Sequence, residues 1–109
     1  MTGVQTCALP ICIRSAFRIP DVSVFHPTAP VESVPSHPPF IVVEILSPED
    51  RMSKVRGKLE EYRAWGVPHV WLVDPHERRL YTCDQGLTEV SGLRAPEIGL
   101  EVTAANIFE

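Results

Sequence analysis

The sequence predicts an α/β fold, a sheet covered by helices, and three observations carry that reading. Two apolar runs, "PFIVVEIL" (39 to 46) and "HVWLVD" (69 to 74), are continuous rather than alternating. Strands of that kind are buried on both faces. Between the runs, Met52, Val55, Leu59 and Tyr62 recur at spacings of three, four and three. That is one apolar stripe on a helix.

In chain order, "IPDVSVF" (19 to 25) alternates around β-branched residues and predicts a short strand, with Pro20 at its first position or on an edge. Residues 27 to 39 hold five prolines and predict an exposed loop. "PFIVVEIL" is the first buried strand. "SPEDR" (47 to 51) reads as a helix start, with Ser47 as N-cap, Pro48 at the first helical position and acids in the first turn. The helix runs to about Trp65, weakened a little by Gly57. "GVP" (66 to 68) ends it, with Gly66 just past the last turn. "HVWLVD" is the second buried strand, stopped by Pro75, and "RRLYTCD" (78 to 84) pairs with it as a hairpin. The tail holds "LEV" and then "TAANIFE", a short closing helix capped by Thr103. No internal repeat or linker divides the 109 residues, which make one domain at most.

Composition narrows the class. The apolar share of 44% and charged share of 22% are those of a globular protein. No apolar run approaches the ~20 residues of a membrane span, and no basic region opens a secretory signal. Cys7, Cys12 and Cys83 make no disulfide framework, so reduced thiols in the cytoplasm are expected. His26, His37, His69 and His76 form no close-spaced couples with them, which disfavours zinc. The net charge of −4 argues against a nucleic-acid footprint spread over the whole surface. Yet Arg51, Lys54, Arg56, Lys58 and Arg63 fall within 13 positions, enough for a local basic face. The plainer alternative is a solvated helix surface balanced by Glu60 and Glu61.

"MTGVQTCALPI" (1 to 11) carries no charge and no period. It resembles the conceptual translation of a common sequencing adapter, with Cys12 spanning the junction. On this reading residues 1–12 are a non-native segment, Cys7 and Cys12 carry no function, and the chain is a C-terminal fragment of a larger gene product.

Glu44 is the residue that needs explaining, standing among Val42, Val43, Ile45 and Leu46. Strand geometry puts Val42, Glu44 and Leu46 on one face and Ile41, Val43 and Ile45 on the other. A buried carboxylate without a partner costs several kcal/mol, roughly. Glu44 must therefore be paired, protonated or bound to a cation. Asp21 lies near the start of the earlier strand, and if the strands are neighbours two carboxylates converge. A hard divalent ion such as Mg²⁺ needs only one or two carboxylates, with water and substrate phosphate completing its shell. Lys58, one helical position from the apolar stripe, can reach the same pocket and neutralise charge on a phosphate. Each residue also has a plainer role. Asp21 can be a turn acid, Glu44 half of a structural salt bridge, Lys58 a solvated lysine, Asp74 a strand-end turn residue, and His69 a packing residue.

The run of "PDVSV", "IVVEILSPEDR" and "KLEEYRAWGVPHVWLVDP" resembles the Uma-two family, within the PD-(D/E)XK nuclease superfamily. The resemblance covers about Arg18 to Glu109. Its most specific parts are E-x-L-S-P, the lysine four residues before tyrosine, G-V-P and W-L-V-D-P. It implies a restriction-endonuclease-like mixed sheet flanked by helices, with the N-terminal part missing, so that residues 13–109 form a partial nuclease domain. It also implies hydrolysis of DNA phosphodiester bonds with Mg²⁺ or Mn²⁺. Asp21 matches the aspartate of the PD motif and Glu44 the acid of the second motif, the two metal ligands. The lysine usual two residues after that acid is absent, Leu46 standing there, and Lys58 on the next helix is its candidate replacement. Lys54 stands where family members often carry an acid. Members also carry a helix and hairpin strands ahead of the PD motif. Dimers are common in this class, so a homodimer is among the expectations. The rival readings are a non-catalytic binding module on a nuclease fold and an inactive gene fragment.

Overall fold

The computed structural model describes residues 5–7, 11–13, 16–18, 20–26, 28 and 37–108. The strands are β1 (Gln5–Cys7), β2 (Ile11–Ile13), β3 (Ala16–Arg18), β4 (Val22–Phe25), β5 (Ile41–Ile45), β6 (His69–Asp74), β7 (Arg79–Cys83), β8 (Leu87–Val90), β9 (Gly92–Ala95) and β10 (Leu100–Thr103). The helices are α1 (Met52–Trp65) and α2 (Ala104–Phe108), with a 3₁₀ turn at Pro96–Ile98. Six strands form one mixed sheet in the order β1-β4-β5-β6-β7-β8. Only β5 and β6 run parallel in it, and α1 is the crossover between them. β9 with β10, and β2 with β3, form separate antiparallel pairs. Strands β1 and β2 lie within or overlap the stretch that resembles an adapter translation, and β1 pairs with β4. Most of the proline-rich stretch 27–39 lies outside the described residues.

The two continuous apolar runs are buried on both faces, as their pattern predicts. On one face Val42, Val70 and Leu72 pack with Val55, Leu59 and Tyr62 of α1. On the other, Ile41, Trp71 and Val73 pack with Leu93 and Ala95 of β9, with Phe108 of α2 against them. Ile45, at the end of β5, is an exception at 46% exposed.

Both ends of α1 are informative. Gly66 has φ 102° and donates to the Arg63 carbonyl at 3.0 Å, while the Val67 N–H reaches the Tyr62 carbonyl at 3.1 Å. Those two bonds are a Schellman ending, and buried Val67 packs in the same cluster as Tyr62. The start differs from the sequence expectation. The helix begins at Met52, with Arg51 as an extended N-cap residue, not at Ser47 and Pro48. Ser47 to Asp50 instead close a separate turn. The Asp50 N–H donates to the Ser47 carbonyl at 3.1 Å, and the Asp50 carboxylate takes the Ser47 N–H at 2.8 Å. A Ser-x-x-Asp stretch can satisfy itself in one turn without propagating a helix, because its side chain already occupies the donor.

The remaining turns follow their local chemistry. Asp74 accepts the N–H groups of His76 and Glu77 at 3.1 and 3.2 Å, the turn role its position suggests. Thr103 caps α2: its hydroxyl takes the Asn106 N–H at 3.2 Å, and Asn106 Oδ1 takes the Thr103 N–H at 3.0 Å. Strands β8 and β9 go beyond what the sequence pattern predicts.

Leu59 is fully buried between α1 and the sheet. Leu59→Ala is expected to cost about 2–5 kcal/mol in urea unfolding. Gly66→Ala has room for its Cβ, with Pro38 Cγ 3.9 Å away, but keeps the left-handed backbone and should cost about 1–2 kcal/mol. A Leu59→Ala cost below about 1 kcal/mol would mean that α1 does not seal this face.

Candidate metal and catalytic site

The site is made by the register of β4 on β5. Val22 stands opposite Val43, so Asp21, one residue earlier, comes beside Glu44. The two residues exchange contacts across the strands. The Ile45 N–H donates to Asp21 Oδ2 at 2.7 Å, and the Asp21 N–H donates to Glu44 Oε2 at 3.3 Å. Glu44 points to the α1 face, where the Tyr62 hydroxyl donates to its Oε1 at 3.3 Å. The faces of β5 are those that strand alternation predicts.

Asp21, Glu44, Ser47, Asp50, Val55 and Lys58 line one cavity of about 210 Å³. The three residues singled out in the sequence therefore meet. Asp50 and Ser47 join them; Ser47 was legible only as an N-cap and Asp50 only as a first-turn acid, and the separate turn they form is what brings them to the cavity wall. Tyr62 was legible only as core, since stripe spacing shows burial and not what a hydroxyl meets.

Glu44 is 6% exposed, and burial, then the negative charge of Asp21, push its pKa up to about 7. The Asp21 N–H and the charge of Lys58 act in the opposite direction. Among the described residues Glu44 makes no ion pair with Lys58; its oxygens meet Tyr62 and the Asp21 backbone instead. Among the described residues a structural salt bridge is thus not what holds Glu44.

The donor set can be tested against a cation. Among the described residues no group of three or more His, Cys, Asp and Glu side chains could hold a metal ion. A closed structural zinc site does not fit. Two adjacent carboxylates beside an open cavity do fit a hard divalent ion that keeps most of its shell for water and phosphate. Such an ion would also offset the burial and the Asp21 charge that raise the Glu44 pKa.

The five basic residues do not form one face. Lys54 and Lys58, four apart, lie on the flank of α1 that borders the cavity. Arg56 and Arg63, seven apart, lie on the other flank, where Arg56 lines a hollow with Cys83 and Arg63 pairs with Asp84 at 3.4 Å. The buried row of Val55, Leu59 and Tyr62 separates them. His69 is a packing residue. It lies between the rings of Phe40 and Trp71 and meets Glu97 at 2.9 Å.

The family model described as "Uma2: Putative restriction endonuclease" matches residues 2–106. The chain is also similar to "a putative nuclease belonging to DUF820" from Anabaena variabilis ATCC 29413, known from a crystal structure. The TM-score is 0.84 at 20% identity, over 97% of this chain and 68% of that one. At that identity the likeness shows a shared fold. No curated protein matches.

Glu44 gives a pH prediction for the metal-free protein. Its pKa is about 7 when folded against 4.5 for an unperturbed glutamate, so between those values the folded state holds a proton that the unfolded state has lost. Its contribution to stability is full below 4.5 and falls as pH rises to about 7. Glu44→Gln removes that fall. Measured without metal, the variant should gain on the original chain between pH 5 and 8, by on the order of 2 kcal/mol once solvent screening at the cavity mouth is allowed for. Parallel stability curves would contradict the burial argument.

Proposed function

We propose that this chain, which belongs to the Uma2 (Uma-two) family, is the nuclease module of a divalent-metal-dependent endonuclease that hydrolyses DNA phosphodiester bonds. One observation carries the reading: Asp21, just ahead of β4, and Glu44 of β5 are brought side by side, at a cavity that Lys58 also lines.

Asp21 and Glu44 are the residues that would hold Mg²⁺ or Mn²⁺. A bound ion of this kind polarises a phosphoryl oxygen and makes water a nucleophile at neutral pH. The chain's own residues do the rest. The Ile45 N–H orients the Asp21 carboxylate, and the Asp21 N–H meets Glu44 Oε2. Lys58, exposed and on the cavity wall, supplies positive charge where the phosphate gains negative charge. Lys54 stands one turn before it on the same flank, placed to meet a neighbouring phosphate. DNA is the proposed substrate, the cytoplasm the proposed compartment, and a homodimer the proposed working form. Among the described residues no helix is long and apolar enough to cross a membrane.

Supercoiled plasmid with Mg²⁺ or Mn²⁺ is the direct test. Nicking should fall by at least ~100-fold in Glu44→Gln, the upper end of what losing an outer-shell partner of a metal costs. Glu49→Ala, exposed and outside the cavity, should leave it unchanged. Equal losses from both would point to instability. A folded protein that neither nicks nor is stabilised by either ion would favour the binding module.

Lys58→Ala should lower the nicking rate by on the order of 10²-fold while leaving Mn²⁺ binding in place, since it supplies charge to the phosphate and not to the ion. Lost metal binding in that variant would reassign Lys58 to the ligand sphere.

A further inference from the structure

We propose that Tyr62 is a positioning residue of this site: its buried hydroxyl fixes the Glu44 carboxylate for the cation and sets the Lys58 turn of α1 over the same cavity. The inference rests on the metal-dependent reading above and adds to it a residue that touches neither ion nor substrate.

Tyr62 is 0% exposed, locked among Val42, Leu59, Val67 and Leu72. A residue needed only for packing there could be phenylalanine. A tyrosine hydroxyl taken into such a core needs a partner, and burying it without one would cost about 1–3 kcal/mol. One partner it meets is Glu44 Oε1, at 3.3 Å. The other oxygen, Oε2, takes the Asp21 N–H at 3.3 Å. A carboxylate held by one donor on each oxygen cannot swing freely about its last bond. Its outer edge stays turned to the cavity that it shares with Asp21.

The same contact reaches Lys58. Residues four apart on a helix lie one above the other, so Lys58 sits one turn before Tyr62 on one row. Tyr62 pins that row to β5, and the Schellman ending closes from the Tyr62 carbonyl, which the Val67 N–H meets at 3.1 Å. The turn that carries Lys58 is therefore anchored from the strand below and from the helix end behind.

The test is Mn²⁺ binding by the 109-residue chain, with free ion counted by its paramagnetic resonance signal and no nucleic acid present. Tyr62→Phe keeps the ring and removes the donor. It should weaken Mn²⁺ binding by ~10–100-fold, the usual effect of losing a group that orients a ligand. Its unfolding midpoint without metal shows that it is folded. In a Glu44→Gln background the same change should make no further difference to the ion. A second measurement does not depend on that variant. The chain has two tyrosines, so Tyr81→Phe leaves Tyr62 alone, and its ¹³C-labelled phenol resonance should move on saturation with Mg²⁺. Unchanged Mn²⁺ affinity in folded Tyr62→Phe overturns the inference. So does an unmoved resonance under saturating Mg²⁺. If the unaltered chain takes up no Mn²⁺, the metal reading falls and this inference with it. Uptake that ignores Tyr62 overturns the inference alone.

Discussion

The pairing of β4 with β5 is the constraint on which the rest of the site depends. The two strands are antiparallel, with Val22 against Val43 and Val24 against Ile41. That register brings Asp21 to Glu44 and lets each carboxylate take a backbone N–H from the other strand. A slip of one residue would turn every side chain of β4 to the opposite face and break both contacts. The register is held because both faces of β5 are buried, Val42 toward α1 and Ile41 away from it. Packing, not the polar contacts themselves, supplies the energy that keeps two acids together.

The crossover from β5 through α1 to β6 is the second element of the design. It lays α1 over the Glu44 side of the sheet, with Leu59 and Tyr62 inserted and Lys58 at the rim. The short turn at Ser47 to Asp50 delays the helix until Met52 and leaves room for the cavity beside the end of β5. The other end of the same strands carries a run of ring contacts. His26, Phe40, His69 and Trp71 contact one another edge to face or tilted, ring after ring, and His69 meets Glu97 of the 3₁₀ turn. One end of the sheet is tied together by rings, and the other is open and acidic.

Some of this was legible in the residues and some was not, for definite reasons. Glu44 stood out because an acid amid Val and Ile contradicts its own surroundings. The α1 ending was legible because Gly-Val-Pro has few other uses. The helix start was not, since Ser-Pro-Glu-Asp fits equally well a first helical turn and a turn that closes on itself. Strands β8 and β9 are short and half exposed, so they carry little hydrophobic pattern. The five basic residues look like one cluster in one dimension, yet Arg51 stands ahead of α1, and the row of Val55, Leu59 and Tyr62 divides the other four into two flanks.

By itself the sequence determined which segments are buried, which face of β5 carries the acid, and where α1 stops. Those are matters of local period and of single residues with strong backbone preferences. It also carried the family resemblance that singled out Asp21, Glu44 and Lys58. Tertiary structure decided what these residues meet. The strand register set Asp21 beside Glu44, the helix crossing put the Tyr62 hydroxyl on Oε1, and the Ser47–Asp50 turn completed the cavity wall. Residues 23 and 18 positions from Glu44 along the chain are joined to it only by the packing of whole elements, and no local pattern encodes that meeting.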